Sequence, residues 1–225
     1  MKAPLPESPP ARGRTSREEG REKLLDAAEQ LFADHGFHGV PVRDITELAG
    51  TRLAEINDQF GGKQGLFKAV VNRRMALVNG DRLEQLAALA AAGPVEARVR
   101  GLVEAFAAPL LARSKEGPGW ESYLRLIAQL NATRFSEMLL VVDQFNPIAR
   151  HCIEHLHGIF PEVGERTLLN MYQFMVSTVM TVFANNYRMD SLSEGRLSSA
   201  DFDANFPDMV EFTVGGMLRL GRSSA

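Results

Sequence analysis

The chain has 225 residues, 45% of them apolar and 24% charged, a balance typical of a globular protein large enough to bury a substantial core. A single cysteine, Cys152, excludes an internal disulfide framework and fits a reducing cytoplasm. The formal net charge of −3 excludes a broadly basic nucleic-acid binder, and the polar N-terminus and short apolar runs lead us to expect neither a secretory leader nor a membrane span.

Residues 1–17 are rich in proline and polar side chains, cannot offset the entropy of ordering, and read as a disordered arm. Its Arg12, Arg14 and Arg17 continue into Arg21 and Lys23. Residues 1–80 hold 12 Lys and Arg against 11 Asp and Glu, so any electrostatic case for DNA rests on that local cluster. Ser16 and Glu19 form a capping-box pattern, and Leu24, Leu25, Ala28, Leu31 and Phe32 follow at helical spacing. The helix is predicted to end at Gly36. Pro41 then suits the start of a second helix over Val42–Ala49, with Val42, Ile45, Leu48 and Ala49 on one face. Gly50 supplies a turn, and Leu53, Ile56 and Phe60 make the inner face of a third, very short helix.

Two short amphipathic helices joined through one glycine, spanning about residues 41–60, form a helix-turn-helix, whose second helix enters the major groove. Thr51, Arg52, Glu55, Asn57 and Gln59 remain on display. Arginine matches guanine O6 and N7, and Asn or Gln matches adenine N6 and N7. The Gly61-Gly62-Lys63 step opens the next helix, where free N–H groups and Lys63 can hold a phosphate.

From about Glu18 to Val78 the sequence resembles the TetR family of transcriptional regulators. The resemblance is carried by Ala27-Ala28, Leu31-Phe32, Gly36-Phe37, Val42-Arg43-Asp44-Ile45, Ala49-Gly50, Phe60, Lys63 and Leu66-Phe67. It implies a DNA-binding domain over 18–78 and a ligand-binding and dimerisation domain over 79–225. By position, Arg43 becomes a base or phosphate contact from the helix before the turn. The reading segment becomes Thr51, Arg52, Leu53, Glu55, Asn57, Asp58 and Gln59, with Lys63 as phosphate anchor. One departure stands out. Asn57-Asp58-Gln59 occupies the place where the family usually carries aromatic and histidine residues. Asp58 either faces away from DNA, or accepts from a cytosine amine, or lowers the affinity.

Beyond Lys63 the pattern is helical almost throughout, punctuated at Gly93-Pro94, 115–120, Pro147, 160–164 and 191–199. No strand alternation is visible, so the fold class is all-α with about nine helices. Phe106, Leu110, Trp120, Tyr123, Leu124, Ile127, Phe135 and Met175, with Asn131 among the polar groups between them, form the candidate lining of an apolar ligand cavity; the same residues would also serve as plain helical core. The lining carries little fixed charge, which points to an aromatic, fatty-acyl or steroid-like effector.

The stretches Glu165–Met189 and Asp201–Leu220 resemble the family's dimer-forming pair, with Met171, Met175, Val179 and Phe183 on one and Phe206, Val210, Thr213 and Met217 on the other. Two such helices per subunit would build a four-helix bundle, although packing within the chain also claims part of these faces. His151, Cys152 and His155 are spaced to share a helical neighbourhood, but no carboxylate set completes them, and no metal or cofactor is expected. There is no nucleophile elbow, phosphate loop or paired-carboxylate motif, so an enzyme is not expected. The sequence therefore reads as a cytoplasmic, homodimeric regulator that binds double-stranded operator DNA, most simply a repressor released by a small apolar effector. Two other classes stay open: an interaction protein of the same fold acting through a protein partner, and a helical metalloprotein built on His151, Cys152 and His155.

Overall fold

The computed structural model describes residues 16–132 and 136–223, and every regular element among them is helical. The expected arm, with Arg12 and Arg14, lies almost wholly outside the described residues, as does Phe135. Helix α1 (Ser16–Gly39) is interrupted at Gly36 (φ 68°, ψ 168°), where the sequence places its end. Helices α2 (Val42–Ala49) and α3 (Leu53–Phe60) follow. Gly50 joins them in the left-handed conformation (φ 64°, ψ 36°), which a side chain would strain, and its N–H caps α2 on Glu47 O.

Helix α4 (Lys63–Ala87) comes next, then α5 (Val95–Ser114), α6 (Pro118–Ala132) and α7 (Ser136–Ile159). The chain closes with α8 (Glu165–Phe183), α9 (Arg188–Leu192) and α10 (Phe202–Ser223). The described residues thus hold ten helices rather than about nine. The additional one is α9, because α8 stops at Phe183 instead of running to Met189: Asn185 and Tyr187 adopt positive φ and turn the chain. Pro147, expected to punctuate, lies inside α7, as Pro109 lies inside α5 and Pro207 inside α10.

Helix α1 packs against α2, α4 and α6, while α4 packs against α1, α3, α5 and α7. Helices α8 and α10 pack on each other, with α10 also on α5 and α8 on α6 and α7. Leu24, Phe32, Ile45, Ile56, Phe67 and Val70 fill the N-terminal part of the core, and Leu102, Leu110, Tyr123, Met171, Val179 and Phe183 the C-terminal part. No break falls at residue 78. Helix α4 runs through that position without interruption, so one rigid element serves both halves. Among the described residues no helix is long and apolar enough to cross a membrane.

Helix α4 is gripped midway. Glu29 of α1 is buried and accepts from Arg74 Nε at 2.8 Å and Nη2 at 2.8 Å, and from Arg73 Nη2 at 3.2 Å. Arg73 also reaches Asp26 at 2.8 Å and Glu22 at 3.2 Å. The Arg74 guanidinium lies over the Trp120 ring of α6, 4.7 Å from its centroid. Three helices meet at one buried carboxylate.

Candidate functional site

Helix α3 is eight residues long and buries one side chain, Ile56. A helix this short does not persist in water on its own. It is held by Ile56 and Phe60, by the Gly50 turn, and by the Arg21 guanidinium stacked 4.7 Å from the Phe60 ring centroid. Leu53 does not join that inner face: it is 56% exposed, and Leu48 of α2 is 53% exposed. The first residue of α3 overhangs the core, and on α2 it is Thr46, its hydroxyl donated to Arg43 O at 2.9 Å, and not Leu48 that is buried.

The displayed residues divide into two groups. Arg43, Arg52, Leu53 and Asn57 are exposed on the outer side of the motif. Thr51, Glu55, Asp58 and Gln59 line a crevice against α1, shared with Arg17, Glu19 and Lys23. The Thr51 hydroxyl is turned inward and is unavailable to a base in this conformation. Asp58 shares that crevice with two cations, Arg17 and Lys23, and with two other acids, Glu19 and Glu55. Lys63 begins α4 with its ammonium 4.5 Å from the Phe37 ring centroid.

A cavity of about 220 Å³ lies between α4, α5, α6, α7 and α8. Phe106, Ile127 and Asn131, expected from the sequence, line it. Leu110, Trp120, Tyr123 and Leu124 are buried in the core around it instead, and Met175 faces the α8–α10 groove. The residues that the sequence did not single out come mainly from α4 (Met75, Val78, Asn79, Arg82) and α8 (Tyr172, Val176, Met180). The expectation of little fixed charge is corrected by Arg82, a buried cation at the cavity. Burial pushes its pKa down to about 10, which leaves it charged at neutral pH. Burial likewise pushes the Cys152 thiol and the Tyr172 phenol up to about 12, so both stay neutral.

Met171, Met175, Val179, Phe183, Val210, Thr213 and Met217 are buried within the subunit, and Phe206 is partly buried against the same core. Packing within the subunit buries most of that stripe, yet Met171, Met175, Thr213 and Met217 also floor the groove between α8 and α10. What α8 and α10 present outward is Phe174, 56% exposed, and Phe212, 75% exposed, flanking a groove with Thr178, Gly216 and Leu220. His151 is exposed and lies 3.5 Å from Glu154, whereas Cys152 faces the core, so the two do not converge. Among the described residues no three His, Cys, Asp or Glu side chains assemble as a metal site.

Residues 24–70 match the family model "Bacterial regulatory proteins, tetR family", and residues 104–216, half of the chain, match "Tetracyclin repressor-like, C-terminal domain". The chain is 35% identical over 94 residues to the HTH-type transcriptional activator FasR of Mycolicibacterium smegmatis, covering 41% of each protein. It is 32% identical over 84 residues to the HTH-type transcriptional repressor AcnR of Corynebacterium glutamicum, covering 37% of this chain and 40% of that one. These matches span less than half the length of either relative. The fold is shared with the transcriptional regulator FadR of Bacillus subtilis, solved in complex with stearoyl-CoA: TM-score 0.54, 15% identity, 87% of this chain and 98% of that one.

Proposed function

Because the chain belongs to the TetR family of bacterial regulators, matched by its family models at both the N-terminal motif and the C-terminal half, we propose that it is a homodimeric DNA-binding transcriptional regulator controlled by a small molecule in the α4–α8 cavity. The observation that carries this is α4 itself. Its first residue, Lys63, stands beside the reading helix, and Met75, Val78, Asn79 and Arg82 farther along it wall the cavity. At 1.5 Å per residue, an α-helix spanning Lys63 to Arg82 is roughly 29 Å long. A molecule that binds better to one position of α4 than to another shifts the population of reading-head positions, and it can do so only through that difference in affinity.

Arg43, Arg52 and Asn57 are the side chains proposed to face bases and phosphates, with Lys63 and the N-terminus of α4 on the backbone. Asp58 is assigned to the α1 crevice rather than to the outer face. The outward Phe174 and Phe212 are proposed to pack against the same residues of a second copy, so that α8 and α10 of two subunits make a four-helix bundle. The dimer sets the spacing of the two reading helices at one turn of DNA. Occupancy of the cavity would alter that spacing and release the DNA, the behaviour of a repressor. The named relatives include one repressor and one activator, so the sign is part of the proposal.

Fluorescence anisotropy on DNA taken from upstream of its own gene, against scrambled DNA of equal length, tests the reading. Preference for the native fragment is expected, with log K falling linearly as log salt rises. Equal, salt-insensitive binding to both fragments would refute it and leave a protein-interaction role.

A further inference from the structure

The identity of the effector rests on the α4–α8 cavity being the effector site proposed above, and the group that sets this cavity apart is Arg82, which is 3% exposed. Its Nε donates to Phe106 O at 2.8 Å and its guanidinium stacks 3.8 Å from the Phe106 ring centroid. Nothing accepts from its Nη2, and among the described residues no carboxylate pairs with it. The charges nearest to it would come from Tyr123, Tyr172 and Cys152, which burial keeps neutral. A buried cation without a counter-charge is costly, and structures tolerate one where something completes it.

The hydrogen bond to Phe106 O does not account for the charge. Three residues earlier on α4, Asn79 Nδ2 donates to Gln144 O at 2.9 Å. Both acceptors stand three residues before a proline inside the facing helix, Pro109 in α5 and Pro147 in α7, next to the carbonyls (Ala105 and Asp143) whose N–H partner the proline removes. A neutral amide serves the second of these carbonyls. The guanidinium at the first has spare donors and a full positive charge beside a cavity otherwise walled by apolar side chains and asparagines.

We propose that the effector is a small organic acid, an aromatic or short-chain carboxylate, whose carboxylate pairs with Arg82 and whose apolar body fills the space between Phe106, Ile127, Tyr172 and Met180. Size and charge select this class. An apolar cavity of about 150 Å³ holds a benzene ring, so about 220 Å³ suits a ring or short chain with one carboxylate and not an acyl-CoA or a steroid. One guanidinium balances one negative charge. A phosphate dianion would bury a second charge unpaired, and a neutral ligand would leave Arg82 as it stands.

The test uses the full-length dimer and calorimetric titration with benzoate, phenylacetate, hexanoate and octanoate, each beside its primary amide. At least one acid should bind, and its amide should bind at least about 100-fold more weakly, because a site built for a charged partner rejects the analogue lacking it. Arg82→Met should lose that acid by a similar factor while melting no lower than the wild type, since it removes an unpaired buried charge. Arg82→Lys should keep part of the affinity. Amides that match their acids, an Arg82→Met protein that binds the acid unchanged, or no acid binding up to about 10 mM would each overturn the proposal. DNA anisotropy run in parallel separates the two readings. An acid that binds through Arg82 yet leaves DNA affinity unchanged refutes the regulatory reading and keeps the anion site. A neutral compound that releases DNA from both proteins does the reverse.

Discussion

Replacing Glu29 by Gln keeps the shape of the side chain and removes its charge, which isolates what the carboxylate contributes to the junction of α1, α4 and α6. Two guanidinium groups depend on Glu29 to different degrees. Arg73 keeps Asp26 at 2.8 Å and Glu22 at 3.2 Å, whereas Glu29 is the acidic partner found for Arg74, whose side chain is 17% exposed. The change therefore strands one largely buried cation. Breaking such a pair from one side costs about 3–5 kcal/mol, and the partial exposure of Arg74 places the expectation near the lower bound, about 3 kcal/mol. For a chain of this size that corresponds to a melting temperature lower by roughly 6–12 °C. Urea unfolding at fixed protomer concentration measures it, since the proposed dimerisation would make stability concentration-dependent. The double replacement Glu29→Leu with Arg74→Met removes both charges and should recover most of the loss. A single-mutant loss below about 1 kcal/mol, or a double mutant no more stable than the single, would refute the claim that a desolvated ion pair holds the junction.

Phe212→Asp should convert the dimer to a folded monomer by light scattering, because Phe212 is 75% exposed in the subunit, whereas Val179→Asp, buried within it, should unfold the chain. Gly65→Ala places a Cβ on the Phe60 carbonyl, so the α3–α4 turn must open; we expect a stability loss of about 1–3 kcal/mol by chemical denaturation and weaker DNA binding. Asp58→Tyr removes a negative charge beside the proposed DNA face and adds a hydroxyl donor. It should tighten binding to operator and random DNA alike at one salt concentration, and a loss of about 1–3 kcal/mol confined to the operator would instead make Asp58 a base reader.

The sequence announces α2 residue for residue, because Pro41 and Gly50 bracket it and Ile45 and Ala49 share one face. It does not announce which apolar residues go inside. Leu48 and Leu53 repeat at helical spacing yet are exposed, since helices of two turns cannot cover every residue of a stripe. The same limit explains α8. Met171, Met175, Val179 and Phe183 form an apolar stripe at intervals of four, and Phe174 stands on the adjacent face, sharing the α8–α10 groove with Met171 and Met175. Periodicity gives a face but not the identity of what covers it, and here the subunit's own core covers the stronger one. Arg82 is illegible in the sequence for a different reason. A lone arginine between apolar positions reads as surface charge, and only the arrival of Phe106 from α5 and Tyr172 from α8 makes it interior.

That placement bears on how a signal would travel. Helix α4 has polar attachments of unlike character: Lys63 over the Phe37 ring at the DNA end, Arg73 and Arg74 on the buried Glu29 carboxylate in the middle, and, at the cavity end, Asn79 and Arg82 on helix carbonyls and Asp81 paired with Arg113 of α5 at 2.8 Å. The middle attachment is the most strongly charged and the most specific in geometry, so it resists displacement best. The cavity bonds of Asn79 and Arg82 are single hydrogen bonds to helix carbonyls, worth about 1 kcal/mol for the neutral amide and about 1.5–3 kcal/mol for the charged guanidinium. A carboxylate that takes up the spare Nη2 donor of Arg82 adds an ion pair beside the bond to Phe106 O and so pulls on this end of the helix. A shift of the end of α4 in the cavity would pivot about Glu29 and would have to carry Arg113 of α5 along through its pair with Asp81. Under this arrangement the effector needs no contact with the reading head, and a loosened pivot would uncouple effector binding from DNA release without touching either site.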